Sequence, residues 1–262
     1  SPTTEIYPLS RPAALPISVG LDLAMGNGGI PAGSLVEISG PMCSGKTALC
    51  LSIIAQANKL GKQCTLIDSD MSITRKRLET YGVNPEITYI SQVTDTKQTL
   101  NIIDHLIHSG SIDVVVLDSI NALTNNVDTS LYSIQKTSSH PNHQISRALS
   151  KIKLKLKRSG AILILTNHSE LTQHTIYHKL AENMSRLSVK LHASISMQLE
   201  LNTGTQEDQD IHGWQVLVKL KKNQVSPCMR QVKLDIMYND GILKERELIN
   251  LGLSYGILDR KS

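Results

Sequence analysis

Hydrophobic and polar positions alternate along the chain in two rhythms. Mostly apolar segments of strand length occur at residues 35–39, 64–68, 114–117 and 161–165. Between them, apolar side chains recur every three or four positions, most clearly at residues 100–108 and 145–156, as on one face of a helix. Apolar strands that alternate with helices in this way predict an α/β fold, with a mostly parallel central sheet flanked by helices.

The pattern differs at the two ends of the chain. Residues 192–199 and 214–220 alternate with period two, which predicts antiparallel strands that extend the sheet. Residues 1–16 hold four prolines and show no periodicity, so we expect an extended N-terminal arm. Residues 17–262 are expected to form one core, without a separate N-terminal helical domain or C-terminal domain.

One segment carries the phosphate-binding pattern G-x-x-x-x-G-K-S/T, with every required position filled. It reads Gly40-Pro41-Met42-Cys43-Ser44-Gly45-Lys46-Thr47. The strand-like run before it and the helix-like segment after it fit a loop whose backbone N–H groups wrap a triphosphate at a helix N-terminus. We therefore expect ATP binding here, with Lys46 reaching the β- and γ-phosphates and the Thr47 hydroxyl ligating Mg²⁺.

Acidic residues follow two of the apolar runs. Asp118 ends the run at residues 114–117, which would deliver its carboxylate to the sheet edge where ligands bind in α/β folds. We expect it to hold Mg²⁺ beside the phosphate loop. Asp68 ends the earlier segment at residues 64–68 and Asp70 follows it, and either could polarise an attacking water. The alternative for this pair is a structural cap on the segment that follows.

Composition and charge restrict the setting. The 262 residues carry a net charge of +4, which permits an anionic partner. The four cysteines form no C-x-x-C pair, as in proteins of a reducing cytosol, and no apolar run reaches membrane-spanning length. His168, His174 and His178 have no acid or cysteine at ligand spacing, so we do not expect a metal there. The lysines of residues 151–158 fit a solvated helix face, with DNA or a partner as the alternative.

Taken together, these motifs resemble those of the RecA-type recombinases, nearest to the bacterial branch. The resemblance extends from about residue 17 to residue 258. It rests on residues 17–33, which lead into the phosphate loop, and on residues 114–123, 218–227, 234–242 and 247–252. It implies an ATP- and Mg²⁺-dependent DNA recombination and repair protein. Such proteins polymerise on single-stranded DNA with ATP at subunit interfaces, then pair that strand with a homologous duplex.

The resemblance also implies two DNA-contacting loops, at about residues 125–142 and 170–186. Both segments are polar and follow strands on the carboxyl side of the predicted sheet. Arg147, Lys179 and Arg186 are candidate contacts to DNA phosphates, with ordinary solvated charge as the alternative for each.

Several positions depart from the family's pattern. The resemblance implies that three further residues bind the nucleotide: Arg77, which stands where the family has a tyrosine stacked on adenine, and Tyr238 and Asn239. Asp70 stands where the family has a catalytic glutamate, and His168 where a glutamine senses the γ-phosphate. Lys222 matches the first of two lysines that act on the neighbouring subunit's γ-phosphate, but Gln224 replaces the second. We expect these changes to slow ATP turnover.

Two functions therefore remain open. The first is a single-stranded-DNA-dependent ATPase that forms filaments and promotes homologous pairing. The second is a catalytically degenerate paralogue that binds ATP and DNA and acts as an accessory or regulatory factor, alone or with a RecA-family partner. A small-molecule kinase is disfavoured, because no arginine-bearing lid segment is found. Either protein would be cytoplasmic, or nucleoid-associated if bacterial, with no membrane partner.

Overall fold

The computed structural model describes residues 14–125, 141–168, 187–201, 213–226, 230–237 and 241–259. Its strands are β1 (Ala14–Leu15), β2 (Ile30–Pro31), β3 (Leu35–Gly40), β4 (Cys64–Asp68), β5 (Thr88–Ser91), β6 (Val114–Asp118), β7 (Ile162–His168), β8 (Ile195–Leu201), β9 (Gly213–Asn223), β10 (Gln231–Met237) and β11 (Gly241–Ile242). Its helices are α1 (Val19–Met25), α2 (Lys46–Lys59), α3 (Arg75–Thr80), α4 (Thr96–Ser109), α5 (Ile120–Asn125), α6 (Pro141–Ser159), α7 (187–192) and α8 (Lys244–Ser254).

Nine of the described strands form one sheet, in the order β11-β10-β9-β8-β3-β7-β6-β4-β5. The six strands from β8 to β5 are parallel to one another, whereas β9, β10 and β11 pair in antiparallel fashion at one end. The predicted α/β class, with a parallel sheet and an antiparallel extension, is confirmed.

The core lies on both faces of this sheet. Along β6, Val114 and Val116 face the layer that contains α1 and α2, whereas Val115 and Leu117 face the layer of α4 and α6. All four side chains are buried. This two-sided burial explains why the strand is apolar at every position, rather than at every second one.

The direction of β8 differs from its prediction. The strand pairs in antiparallel fashion with β9, as expected, but runs parallel to β3, with Val36 opposite Ile195. The predicted antiparallel pairing is therefore confirmed on the β9 side, whereas on the β3 side the strand is parallel and the prediction was wrong. Period-two alternation shows only that the two faces of a strand differ in polarity, and it carries no information about strand direction.

The predicted helices begin and end at local signals. The helix expected from residue 100 starts earlier, at Thr96, because the Asp95 side chain accepts a hydrogen bond from the backbone N–H of Gln98 at 2.7 Å. It ends at Gly110, whose φ of 68° is left-handed. The lysine-rich stretch is part of α6, as predicted. Among the described helices, none has the length and apolar character needed to cross a membrane.

The N-terminal arm is described only from residue 14. Ala14 and Leu15 form β1, which pairs with β2, and the Leu15 side chain is buried in the core. Residues 1–13 lie outside the described part of the chain.

Candidate active site

The phosphate loop joins β3 to α2 at the carboxyl edge of the parallel strands. Its glycines are required by close packing. A Cβ on Gly40 would lie 2.7 Å from the backbone oxygen of Leu199 in the neighbouring strand. Gly45 has a left-handed φ of 87°, and a Cβ there would lie 3.0 Å from Ile236. Both positions face packed protein, so the loop holds a fixed shape against the sheet that only glycine allows there.

Within the loop, Lys46 folds back over its own backbone. Its Nζ donates to the carbonyl oxygens of Gly40 at 2.9 Å and Pro41 at 2.6 Å, and its side chain is buried. The Ser44 hydroxyl is also buried, and in the described part of the chain it has no hydrogen-bond partner. A buried ammonium group, an unsatisfied hydroxyl and a glycine cradle fit a polyphosphate, so these residues could hold the phosphates of a nucleotide.

The Asp118 carboxylate lies between two threonine hydroxyls. Thr47 Oγ1 donates to Asp118 Oδ2 at 2.6 Å, and Thr166 Oγ1 donates to Asp118 Oδ1. Asp118 is buried at the end of β6, and Thr166 is fully buried near the end of the adjacent β7. Hydroxyl and carboxylate oxygens next to a phosphate loop are the ligands that Mg²⁺ prefers, so Thr47 and Asp118 fit the predicted magnesium site.

The structure separates the roles of the two acids after β4. Asp68 is fully buried and accepts hydrogen bonds from the backbone N–H groups of Ser72 and Ile73, at 3.2 and 2.9 Å. It therefore caps the turn that follows, as the alternative interpretation proposed. Asp70 lies at the surface, where its Oδ2 accepts a hydrogen bond from Ser119 Oγ at 3.1 Å. The Asp70 carboxylate is thus held next to Asp118 by Ser119, the residue that follows Asp118 in the chain.

The surroundings of Asp70 alter its protonation. Partial burial of the carboxyl raises its pKa above the usual value, and the Asp118 and Asp68 carboxylates add to this increase. The hydrogen bond from Ser119 and the nearby His168 act in the opposite direction. Asp70 is thus more basic than an ordinary surface aspartate, which favours proton acceptance.

His168 is the last residue of β7 and lies opposite Gly40 in the parallel register. Its backbone N–H donates to the Asn121 side chain at 2.8 Å, which ties the end of β7 to α5. The structure therefore brings His168 to the phosphate loop and to Asp70. His174 and His178, which follow it in the sequence, lie outside the described residues.

Lys222 lies apart from this cluster. It is on β9 opposite Ser196, near the amino-terminal edge of the parallel strands, whereas the loop lies at their carboxyl edge. Its Nζ donates to the carbonyl oxygens of Lys190 and Leu191 at 3.1 and 3.0 Å. Burial lowers its pKa, and the nearby Lys153 lowers it further. The chain does not bring Lys222 to its own phosphate loop. Gln224 is exposed at the end of the same strand.

The other predicted site residues are only partly described. Arg77 is half-buried on α3, near Tyr81. Burial raises the pKa of the Tyr81 phenol, and the Arg77 charge opposes part of that increase. Tyr81 packs against Gly241, which directly follows the segment holding Tyr238 and Asn239. Arg147 is exposed on α6. Four predicted residues lie outside the described part of the chain: Tyr238, Asn239, Lys179 and Arg186.

Three polar residues near the site were not predicted from the sequence. The Thr166 hydroxyl donates to Asp118, and the Ser119 hydroxyl donates to Asp70. The Asn121 side chain fixes the end of β7. A polar residue at the end of an otherwise apolar buried strand was the only available signal for Thr166. For Ser119 and Asn121, contacts between residues 47–49 positions apart were needed.

Comparison with known proteins agrees with this arrangement. The sequence profile of the RecA N-terminal domain matches residues 13–243. Protein RecA of Blastochloris viridis is 36% identical over 246 residues, which cover 93% of this chain and 70% of the relative. Protein RecA of Allochromatium vinosum is 35% identical over the same coverage, and that of Mannheimia haemolytica is 34% identical, with 66% of the relative covered. The chain therefore belongs to the RecA family.

Proposed function

We propose that this protein is an ATP-dependent recombination and repair factor. In this proposal it binds ATP·Mg²⁺ at the phosphate loop and binds single-stranded DNA. It then assembles into filaments that pair the strand with a homologous duplex, with slow ATP turnover. Residues 17–262 act as one ATPase core, and the protein works in the cytoplasm.

The observation that carries the proposal is the group formed by Lys46, Thr47 and Asp118. These residues come from the loop, α2 and a different strand, yet the Thr47 hydroxyl and the Asp118 carboxylate are 2.6 Å apart. Membership of the RecA family supports ATP as the nucleotide and DNA as the polymer.

The chain's own groups would divide the chemistry. Lys46 neutralises phosphate charge, and Thr47 and Asp118 hold the metal. Bound Mg²⁺ would supply further charge neutralisation at the phosphate oxygens. Asp70 accepts a proton from the attacking water at its carboxylate, and Ser119 holds that carboxylate in place. His168 donates a hydrogen bond beside the loop, in the place of the family's glutamine.

The position of the two proposed DNA loops supports a link between DNA and ATP. One loop follows α5, which begins two residues after Asp118, and the other follows His168 directly. Asn121 joins these two starting points through its hydrogen bond to His168. A change in either loop can therefore reach the groups around the nucleotide through two short connections.

A specific observation favours the alternative of an accessory paralogue. Lys222 is bonded to the carbonyl groups that end α7, and Gln224 supplies no charge, so any action on a neighbour's nucleotide rests on fewer cations. In this alternative the protein binds ATP and DNA but hydrolyses little, and it joins a RecA-family partner.

ATP hydrolysis with and without single-stranded DNA tests the proposal, with Lys46→Ala as the blank. Stimulation by DNA, together with DNA-dependent sedimentation of large assemblies, would support the filament-forming recombinase. Nucleotide binding without hydrolysis above the blank would support the accessory paralogue. Failure to bind nucleotide, in a folded protein, would exclude both.

A further inference from the structure

Both oxygens of the Asp118 carboxylate are held by hydroxyl groups. Thr47 Oγ1 donates a hydrogen bond to Oδ2, and Thr166 Oγ1 donates one to Oδ1. The first of these belongs to the predicted phosphate loop. The second comes from β7, and neither the sequence pattern nor the family resemblance gave it a role.

The contact from Thr166 is specific to its hydroxyl group. A hydroxyl carries one proton, and the Asp118 oxygen is much closer to Thr166 Oγ1 than the alternative acceptor, the Leu117 carbonyl oxygen at 3.4 Å. Thr166 is fully buried, and its branched side chain restricts rotation about χ1. The hydroxyl is therefore fixed in a direction that a valine of the same shape could occupy without donating.

We infer that Thr166 is a positioning residue for the magnesium site. It holds Asp118 Oδ1, so that Oδ2 remains directed towards Thr47, where a cation would be bound. Removing a hydrogen bond that orients a metal-ligating carboxylate typically lowers metal affinity by about 10- to 100-fold. This inference rests on the proposed binding of nucleotide with Mg²⁺.

The test measures how Mg²⁺ affects binding of a fluorescent ADP analogue. For Thr166→Val, we expect the Mg²⁺ concentration at half-maximal effect to rise about tenfold. Affinity in the presence of a chelator should stay unchanged, because the Thr166 hydroxyl donates to Asp118 and would act on the nucleotide only through the metal. Thr166→Ser restores the hydroxyl and should return the midpoint to near the wild-type value, which a loss of packing alone would not predict.

Thr65→Val is the matched control. Thr65 is a buried threonine on β4, so this variant makes the same substitution in the same sheet but away from Asp118. Its Mg²⁺ midpoint should equal that of the wild type. Thermal unfolding confirms that each variant is folded, and Thr166→Ala replaces Thr166→Val if the latter does not fold.

The outcomes separate the inference from the proposed function. Equal Mg²⁺ midpoints for wild type and the folded Thr166 variant would overturn the positioning role and leave the proposed function standing. If the nucleotide affinity of the wild-type protein does not change with Mg²⁺ concentration, both the positioning role of Thr166 and the proposed function are overturned.

Discussion

Substitution of Asp70 by asparagine should greatly slow ATP hydrolysis and leave nucleotide binding intact. Asparagine has almost the same shape, and its Oδ1 can still accept the hydrogen bond that Ser119 donates at 3.1 Å. It cannot accept a proton from water. The buried Asp68 should be unaffected, because its own hydrogen bonds go to the turn after β4.

The expected loss follows from the role given to the carboxylate. A positioned general base contributes roughly 10²–10⁴-fold to a rate, so we expect turnover to fall by at least about a hundredfold, or about 2.7 kcal/mol of barrier. The pH profile should change as well. Burial raises the pKa of Asp70, and the active form is the deprotonated one. Wild-type hydrolysis should therefore fall as the pH drops through that raised pKa, and this acidic limb should be missing from Asp70→Asn.

Phosphate release in a single turnover, with saturating ATP and single-stranded DNA, measures this step. Asp104→Asn is the matched control. Asp104 lies on α4 and forms a surface ion pair with Lys155, so this variant makes the same chemical change at the surface. Its turnover should match that of the wild type. Hydrolysis by Asp70→Asn at the wild-type rate, with the same acidic limb, would show that Asp70 is not the base.

Three further outcomes follow from the structure. Gly40→Ala should weaken nucleotide binding and lower the free energy of unfolding in urea by about 1–3 kcal/mol, because the new Cβ would lie 2.7 Å from the Leu199 backbone oxygen. Unchanged nucleotide binding would contradict the close fit of the loop. Burial, assisted by a neighbouring glutamate, raises the pKa of Asp22 from 3.8 to about 6, so its stabilising contribution is complete below 3.8 and is lost as the pH rises through 6. Asp22→Asn should therefore be more stable than wild type at pH 7, by about 1 kcal/mol after allowance for partial exposure, with no advantage at pH 4. Leu149→Ala, at a buried position of α6, should cost about 3 kcal/mol, whereas Leu154→Ala, at a side chain 68% exposed on the same helix, should change stability by less than about 0.5 kcal/mol in the same assay.

Much of the fold could be predicted from the sequence, because a strand buried on both faces of a sheet is apolar along its length. The strand at residues 114–118 is apolar throughout, since helices cover both sides of the sheet. The phosphate loop was equally clear, because its chemistry needs particular residues at fixed spacing along the chain. For the same reason, Lys46 and Thr47 were predicted to contact phosphate and Mg²⁺ from their positions in the loop, whereas Asp118 was predicted from its position at the end of an apolar strand.

Tertiary structure alone decided what depends on contacts between distant segments. The residue pattern alone allowed either Asp68 or Asp70 to activate water, and the family resemblance favoured Asp70. Only the turn after β4 showed that Asp68 is held by backbone N–H groups. The direction of β8 relative to β3 depends on how the chain crosses the sheet, which alternation does not encode. Thr166 reaches Asp118 across 48 positions of sequence, and a hydroxyl's partner is fixed by geometry in space and not by its neighbours along the chain.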